Sequence, residues 1–277
     1  MVDDNGNRVS IGTDIIRNKK EVHVPFTLDG YLRSNLENVY KNVRYQDYDS
    51  FIVVSGREGF GKSTFAGQIA TFLDPTFNLD RCTFTAGQFI EACENANKFE
   101  AVVFDETMGY LSSRGAMSKF NRQLIQIFSE MRSKNLFVVL CIPNFFELDR
   151  YPAMHRSTGL LHVNKRGRFG SYDYRKKKQL YLLGKKTYSY VISPSFTGNF
   201  REYFVYPKKK YEDKKQTAIR EWEKTSSSEE RYKNQRDILI KWIRENNWAN
   251  TGDISNILDI SLRNTQKLAY AQTQEVY

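Results

Sequence analysis

The chain predicts an α/β fold built on a parallel sheet, and three observations carry that reading. Short, uninterrupted apolar runs recur at FIVVS (51–55), AVVF (101–104) and LFVVLCI (136–142), the pattern of strands buried on both faces. Between them lie longer segments with apolar residues at helical spacing, and strands that alternate with helices join in parallel. Apolar residues make up 40% of the 277, enough for a sizeable core and too many for wholesale disorder.

The elements follow in order. Residues 1–25 are polar and unpatterned, and read as a flexible arm or as a strand added to the main sheet. Leu28 to Val43 reads as a helix with Leu32, Leu36, Val39 and Tyr40 on one face. The buried strand 51–55 runs into Gly56, and a helix from Lys62 to Leu73 stops at Asp74-Pro75. A weak strand (82–85), a helix (86–96) and a second buried strand (101–104) come next, followed by a Gly/Ser-rich loop (107–117). A long helix from Ser118 to Lys134 repeats Phe120, Leu124, Ile127, Phe128 and Met131, and the strand 136–142 ends at Pro143. Beyond Thr158, Lys/Arg pairs interleave with Tyr and Phe, and Gly167, Gly170 and Gly184 mark turns. This stretch predicts β-hairpins that leave the sheet. Lys208 to Ser228 reads as a charged helix running into the linker Ser226, Ser227, Ser228, and three short helices close the chain at 231–246, 252–258 and 261–270. The expected organisation is an N-terminal arm and helix (1–50), a core (51–165), a basic β-hairpin extension (166–207), a charged helix and linker (208–228) and a small helical domain (229–277).

Composition excludes several classes. The longest apolar run is far too short to cross a bilayer, and no basic-then-apolar leader starts at Met1. A soluble cytoplasmic protein is expected, or one of a virion and its host's cytoplasm. Three scattered cysteines (Cys82, Cys93, Cys141) without a CxxC pair, and three separated histidines (His23, His155, His162), argue against a disulfide scaffold or a zinc site.

Gly56-Arg57-Glu58-Gly59-Phe60-Gly61-Lys62-Ser63 fits G-x-x-x-x-G-K-[ST], with Thr64 following, a buried strand before and a helix after. Glycines let the backbone N–H groups turn inward, and the helix N-terminus adds its positive end, so the loop suits a triphosphate. Lys62 would reach the β- and γ-phosphates and the Ser63 hydroxyl would ligate Mg²⁺. AVVFDE (101–106) ends a strand in two carboxylates. Asp105 would hold Mg²⁺, and Glu106 would orient and deprotonate an attacking water. The segment between Lys62 and Asp105 holds one extra strand–helix pair, enough to insert a strand between the two motif strands.

On GREGFGKST, VVFDE and a further helix and strand ending in a polar residue, the chain resembles the P-loop ATPases with an additional strand and a catalytic glutamate. FSEMRSKNLFVVLCIPN (128–144) resembles the HerA/FtsK group of DNA motors, and the chain also looks like zonula occludens toxin-like and viral packaging ATPases. The resemblance covers residues 50–165. It implies ATP and Mg²⁺ as cofactors, a homo-oligomeric ring, a γ-phosphate sensor at Asn144 and a trans-acting arginine. The family's sensor usually sits in a Thr-Gln or Thr-Asn context, whereas Asn144 follows Pro143; it reads equally as a loop-initiating residue. Arg132, Arg150 and Arg156 are the arginine candidates, and each also reads as a surface arginine.

Net charge is +10, and residues 165–215 hold fifteen Lys/Arg against four acids, so that this fifth of the chain carries all the excess. Such a stripe attracts polyanions, nucleic acid first. Phe169, Tyr172, Tyr174, Tyr181, Tyr188 and Tyr190 could stack on unpaired bases or could form the inner face of a hairpin whose lysines point out. The last helices have the rhythm of a helix-turn-helix, with Ser261 as N-cap and Arg263, Asn264, Gln266 and Lys267 facing DNA, or they form a protein-docking unit. The expected function is an ATP hydrolase that couples turnover to moving or packaging double-stranded DNA. A nucleotide or small-molecule kinase and an ATP-dependent DNA-binding switch are the rivals.

Overall fold

The computed structural model describes residues 12–17, 20–105, 114–245, 248–258 and 261–269, without the side chains of 114–119, 123, 126, 222–231, 234, 245 and 267–269. By contacts the chain divides into two units, Met1–Ile219 and Arg220–Tyr277.

In the first unit, β1 (Thr13–Arg17) and β2 (Lys20–Val24) pair antiparallel as a separate two-stranded sheet. This corrects the expectation of a flexible arm or an added strand of the main sheet. The buried Arg17 pins the pair, donating to the Phe72 carbonyl at 2.7 Å and to Glu37 at 3.2 Å, with its guanidinium 4.0 Å from the Tyr40 ring centroid. Helix α1 (Gly30–Tyr45) begins at Asp29, whose carboxylate accepts from the N–H groups of Tyr31 and Leu32, and it buries Leu32, Leu36, Tyr40 and Val43.

The main sheet comprises β3 (Ser50–Gly56), β4 (Cys82–Thr83), β5 (Ala101–Asp105), β6 (Phe137–Ile142), β7 (Gly159–Lys165), β8 (Arg168–Tyr172) and β9 (Phe196–Asn199) in the order β4-β5-β6-β3-β7-β8-β9. The strands from β4 to β7 run parallel, and β8 and β9 join antiparallel at one edge. Both faces are covered, which is why the strands read as unbroken apolar runs. On one face Ile52, Val54, Val103 and Val139 pack with α1 and α2 (Lys62–Leu73). On the other, Phe51, Val53, Val102, Phe104 and Leu140 pack with α3 (Ala86–Asn95) and α4 (Arg114–Ser133).

The strand inserted between the two motif strands is β6, not the intervening β4. At two residues β4 is too short to occupy a sheet centre, while the six residues of β6 are all buried and need neighbours on both edges.

The expected hairpin extension is the second correction. β7, β8 and β9 do not leave the sheet but continue it, and YRKKKQLYLLG forms helix α5 (Tyr174–Gly184). Asp173 caps that helix, accepting from the N–H groups of Arg175 at 2.9 Å and Lys176 at 3.0 Å. Its inner face buries Leu180, Tyr181 and also Lys177.

Helix α6 (Lys208–Glu245) runs through Ser226, Ser227 and Ser228 without a break. The segment contains neither Gly nor Pro, and each Ser lowers helix propensity by only about 0.5 kcal/mol, so the expected linker is helical. The second unit contains the rest of α6 with α7 (Thr251–Leu258) and α8 (Leu262–Ala269), and among its described side chains Ile240, Ile254 and Thr265 are buried. Ser261 caps α8, its hydroxyl accepting from the Asn264 N–H at 3.4 Å. Asp259-Ile260, which the sequence reads as the turn of the helix-turn-helix, lies outside the described residues.

Lys177 is fully buried and donates to the Ser157 carbonyl and hydroxyl. Burial, assisted by Lys178, lowers its pKa to about 7 from an ordinary 10.5. Between those values the folded chain binds fewer protons here than the unfolded chain, so stability should rise with pH, by up to about 1.4 kcal/mol per unit. Urea titrations from pH 7 to 9.5 test this: Lys177→Met should flatten the slope, and an unchanged slope would remove Lys177 as its cause.

Candidate functional site

β3 and α2 are joined by a loop that turns on three glycines. Gly56, Gly59 and Gly61 have φ of +143°, +74° and +91°, values that a Cβ-bearing residue resists. At Gly56 a Cβ would stand 2.4 Å from the Val163 carbonyl oxygen of neighbouring β7, so only glycine fits. Gly61 is the N-cap of α2, whose positive end therefore faces the loop.

The loop floors a cavity of about 740 Å³, within the range of ligand-sized pockets. Glu58, Gly59, Phe60, Gly61, Lys62, Ser63 and Thr64 line it, and Asp105 enters from the end of β5. Gly56 and Arg57 shape the loop behind this wall; the Lys62 ammonium folds back to donate to the Arg57 carbonyl at 3.1 Å. Glu106 lies outside the described residues.

The cavity roof was not foreseen. Residues 200–206 form a strap across the start of α2, held by Gln68, whose side-chain nitrogen donates to the Arg201 carbonyl at 2.8 Å and the Tyr203 carbonyl at 3.2 Å. Phe200 stacks on Phe65 at 4.3 Å between centroids and stands 3.3 Å from where a Gly61 Cβ would be. The strap's signal in the sequence is Gly67, an isolated glycine inside a helical pattern. A Cβ there would come within 3.0 Å of Val205.

From α6, Tyr211 and Lys215 complete the wall. The Tyr211 hydroxyl donates to the Asp105 carboxylate, and Ser63 lies beside the same phenol. Burial and the adjacent carboxylate push the phenol's pKa up, so it stays a donor. Asp105 is 2% exposed and Tyr211 8%. The two side chains expected to share a cation thus converge on one hydroxyl-sized position.

No family model and no curated protein matches the chain.

The other expected site residues lie elsewhere or serve locally. Asn144 is at the same rim of the sheet, but its side-chain oxygen accepts from the Phe146 N–H at 3.1 Å and caps a 3₁₀ turn. Arg156 forms a bidentate pair with Asp49 and also donates to the Phe128 carbonyl. Arg132 pairs with Asp47 at 3.2 Å. Asp47 and Asp49 precede β3, roughly 20 Å along the strand from the phosphate loop. Arg150 is exposed.

Part of the basic stripe is engaged by the fold. Besides Lys177, Lys185 donates to the carbonyls of Phe146 and Leu148, Lys176 to that of Pro194, and Lys214 to those of Leu79 and Cys82 at 2.8 Å. Phe169, Tyr172 and Tyr181 are buried, and Tyr190 hydrogen-bonds Ser55 at 2.9 Å. Tyr174 and Tyr188 are exposed, the former with the Lys178 ammonium 4.2 Å from its centroid. Arg263, Asn264 and Gln266 of α8 are exposed, and the Lys267 side chain is outside those described.

Glycine replacement separates crowding from strain. Gly59→Ala meets nothing within 4 Å and should cost about 1–2 kcal/mol for its left-handed conformation. Gly56→Ala must also displace the Val163 carbonyl and should cost more than Gly59→Ala in denaturant titrations. Equal losses would mean that β7 yields to the extra methyl.

Proposed function

We propose that this chain binds ATP with Mg²⁺ in the cavity over the phosphate loop and hydrolyses it. The observation that carries the reading is the meeting in one cavity of a positive-φ glycine loop, Lys62, Ser63 and the buried Asp105. Among the described residues no group of three His, Cys, Asp or Glu side chains converges. A cation here would therefore be held by Ser63, Asp105 and the phosphates, the usual manner of Mg²⁺. Bound there, Mg²⁺ supplies charge neutralisation between the β- and γ-phosphates. The loop amides and Lys62 would hold the phosphate chain, Asp105 and Ser63 would orient the cation, and Glu106 would take the proton of the attacking water. The position of β6 between β3 and β5 agrees with the additional strand that the family resemblance implies.

Coupling to DNA is the further part of the proposal, in a homo-oligomeric ring that translocates or packages the duplex. Its support is the localised charge, of which Arg168, Arg175, Lys186 and Lys208 are among the residues that remain exposed, and the exposed polar side chains of α8. The inward commitment of Lys176, Lys177, Lys185 and Lys214 favours, as a second reading, an ATP-dependent switch that engages DNA mainly through α8. Among the described residues no helix is long and apolar enough to cross a membrane.

Steady-state phosphate release by the full chain tests the reading. Lys62→Ala should abolish nucleotide binding, and Glu106→Gln should retain binding while turnover falls by about 10²–10⁴-fold. Retained turnover in Glu106→Gln would remove that residue from the mechanism. Double-stranded DNA should stimulate the wild type, with the effect fading as salt rises. A flat response combined with ATP-dependent DNA binding would select the switch, and a phosphorylated acceptor in place of free phosphate would select a kinase.

A further inference from the structure

Lys215 lines the same cavity as Lys62, Ser63 and Asp105 and is half-buried there. It stands one helical turn beyond Tyr211 on α6, so the two share a face, and its ammonium is 5.8 Å from the Tyr211 ring centroid. Because the Tyr211 hydroxyl sits on Asp105 and beside Ser63, that face of α6 overlooks the two side chains suited to the cation.

The other cations nearby are matched. Lys214 is anchored to three backbone carbonyls, Arg166 pairs with Glu202 at 2.9 Å, and Lys62 lies against its own loop. Among the described residues Lys215 makes no hydrogen bond or ion pair. Its charge is therefore left for a ligand of the cavity. The cavity floor, a glycine-rich loop at a helix N-terminus, suits an anion, although Glu58, Glu147 and Glu202 also line the cavity.

We infer that Lys215 contacts the terminal phosphate of the bound nucleotide, a cation supplied in cis from α6. The inference rests on the phosphate-loop reading above. A cation held by Ser63 and Asp105 would offset charge on the terminal phosphates, so a positive group overlooking those two residues would stand near the γ end. Lys62 approaches from the loop and Lys215 from the roof. Together they would bracket the charge that develops on the transferred group, the placement in which fixed cations lower a barrier most. Arg132 and Arg156 are engaged at the far end of β3, and Lys215 fills within one chain the position for which they were considered.

Calorimetric titration of the full chain with a slowly hydrolysed triphosphate analogue and with ADP, each with Mg²⁺, tests this. Lys215→Gln should weaken the triphosphate about 10–100-fold and ADP less than about 3-fold, the difference expected of one charge-assisted hydrogen bond to the γ-phosphate. Lys215→Arg should recover most of the loss, and thermal melts establish that each variant is folded. Equal losses on both nucleotides, or no loss, would overturn the role of Lys215 while leaving the phosphate loop intact. A wild type that binds neither nucleotide, with Lys62→Ala indistinguishable from it, would remove the phosphate-loop reading and Lys215 with it.

Discussion

β3 is buried on both faces and hydrogen-bonded along both edges, so the chain leaves it only at the C-terminal rim of the sheet, where Gly56 presses against the Val163 carbonyl. That exit sets the direction of the phosphate loop, and through Gly61 it sets the start of α2. β6 lies between β3 and β5, so Asp105 reaches the same rim one strand away. The cavity is thus a consequence of strand order: two local motifs, far apart in the chain, meet because the apolar six-residue β6 must lie in the middle of the sheet.

Closing the cavity from above depends on a different kind of contact. The strap 200–206 contributes no strand or helix, so its backbone carbonyls need donors from elsewhere. Gln68, buried in the middle of α2, provides them, and Gly67 leaves room for Val205. The strap then delivers the chain into α6 with Tyr211 over Asp105. A buried polar side chain of α2 therefore organises a wall of the site from more than a hundred residues away in sequence.

The basic stripe shows charge used for architecture. Lys176, Lys177, Lys185 and Lys214 satisfy carbonyls at turns and element ends, a task that the long lysine side chain performs while its methylenes cover apolar surface. Net charge thus overstates the positive surface left for a polyanion. The aromatics of the same segment divide likewise, Phe169, Tyr172 and Tyr181 inside and Tyr174 and Tyr188 outside.

Much of this was legible along the chain. The strands from Ser50, Ala101 and Phe137, the helices between them and the glycine loop after β3 all declare themselves over fewer than twenty residues, because burial on both faces demands unbroken apolar runs and a tight loop demands glycine. Helix α5 had its signals too, Asp173 before it and Gly184 at its end, but alternating Lys and Tyr imitated a strand. Arginine 156 could not be assigned from its neighbours, since its partner Asp49 lies across the sheet's opposite rim. Local chemistry singled out the glycine loop 56–64 and Asp105. Only the folded chain decided what else surrounds them, because β6's insertion, the Gln68-anchored strap and the Tyr211–Asp105 hydrogen bond are long-range choices made by packing and by the need to satisfy buried polar groups.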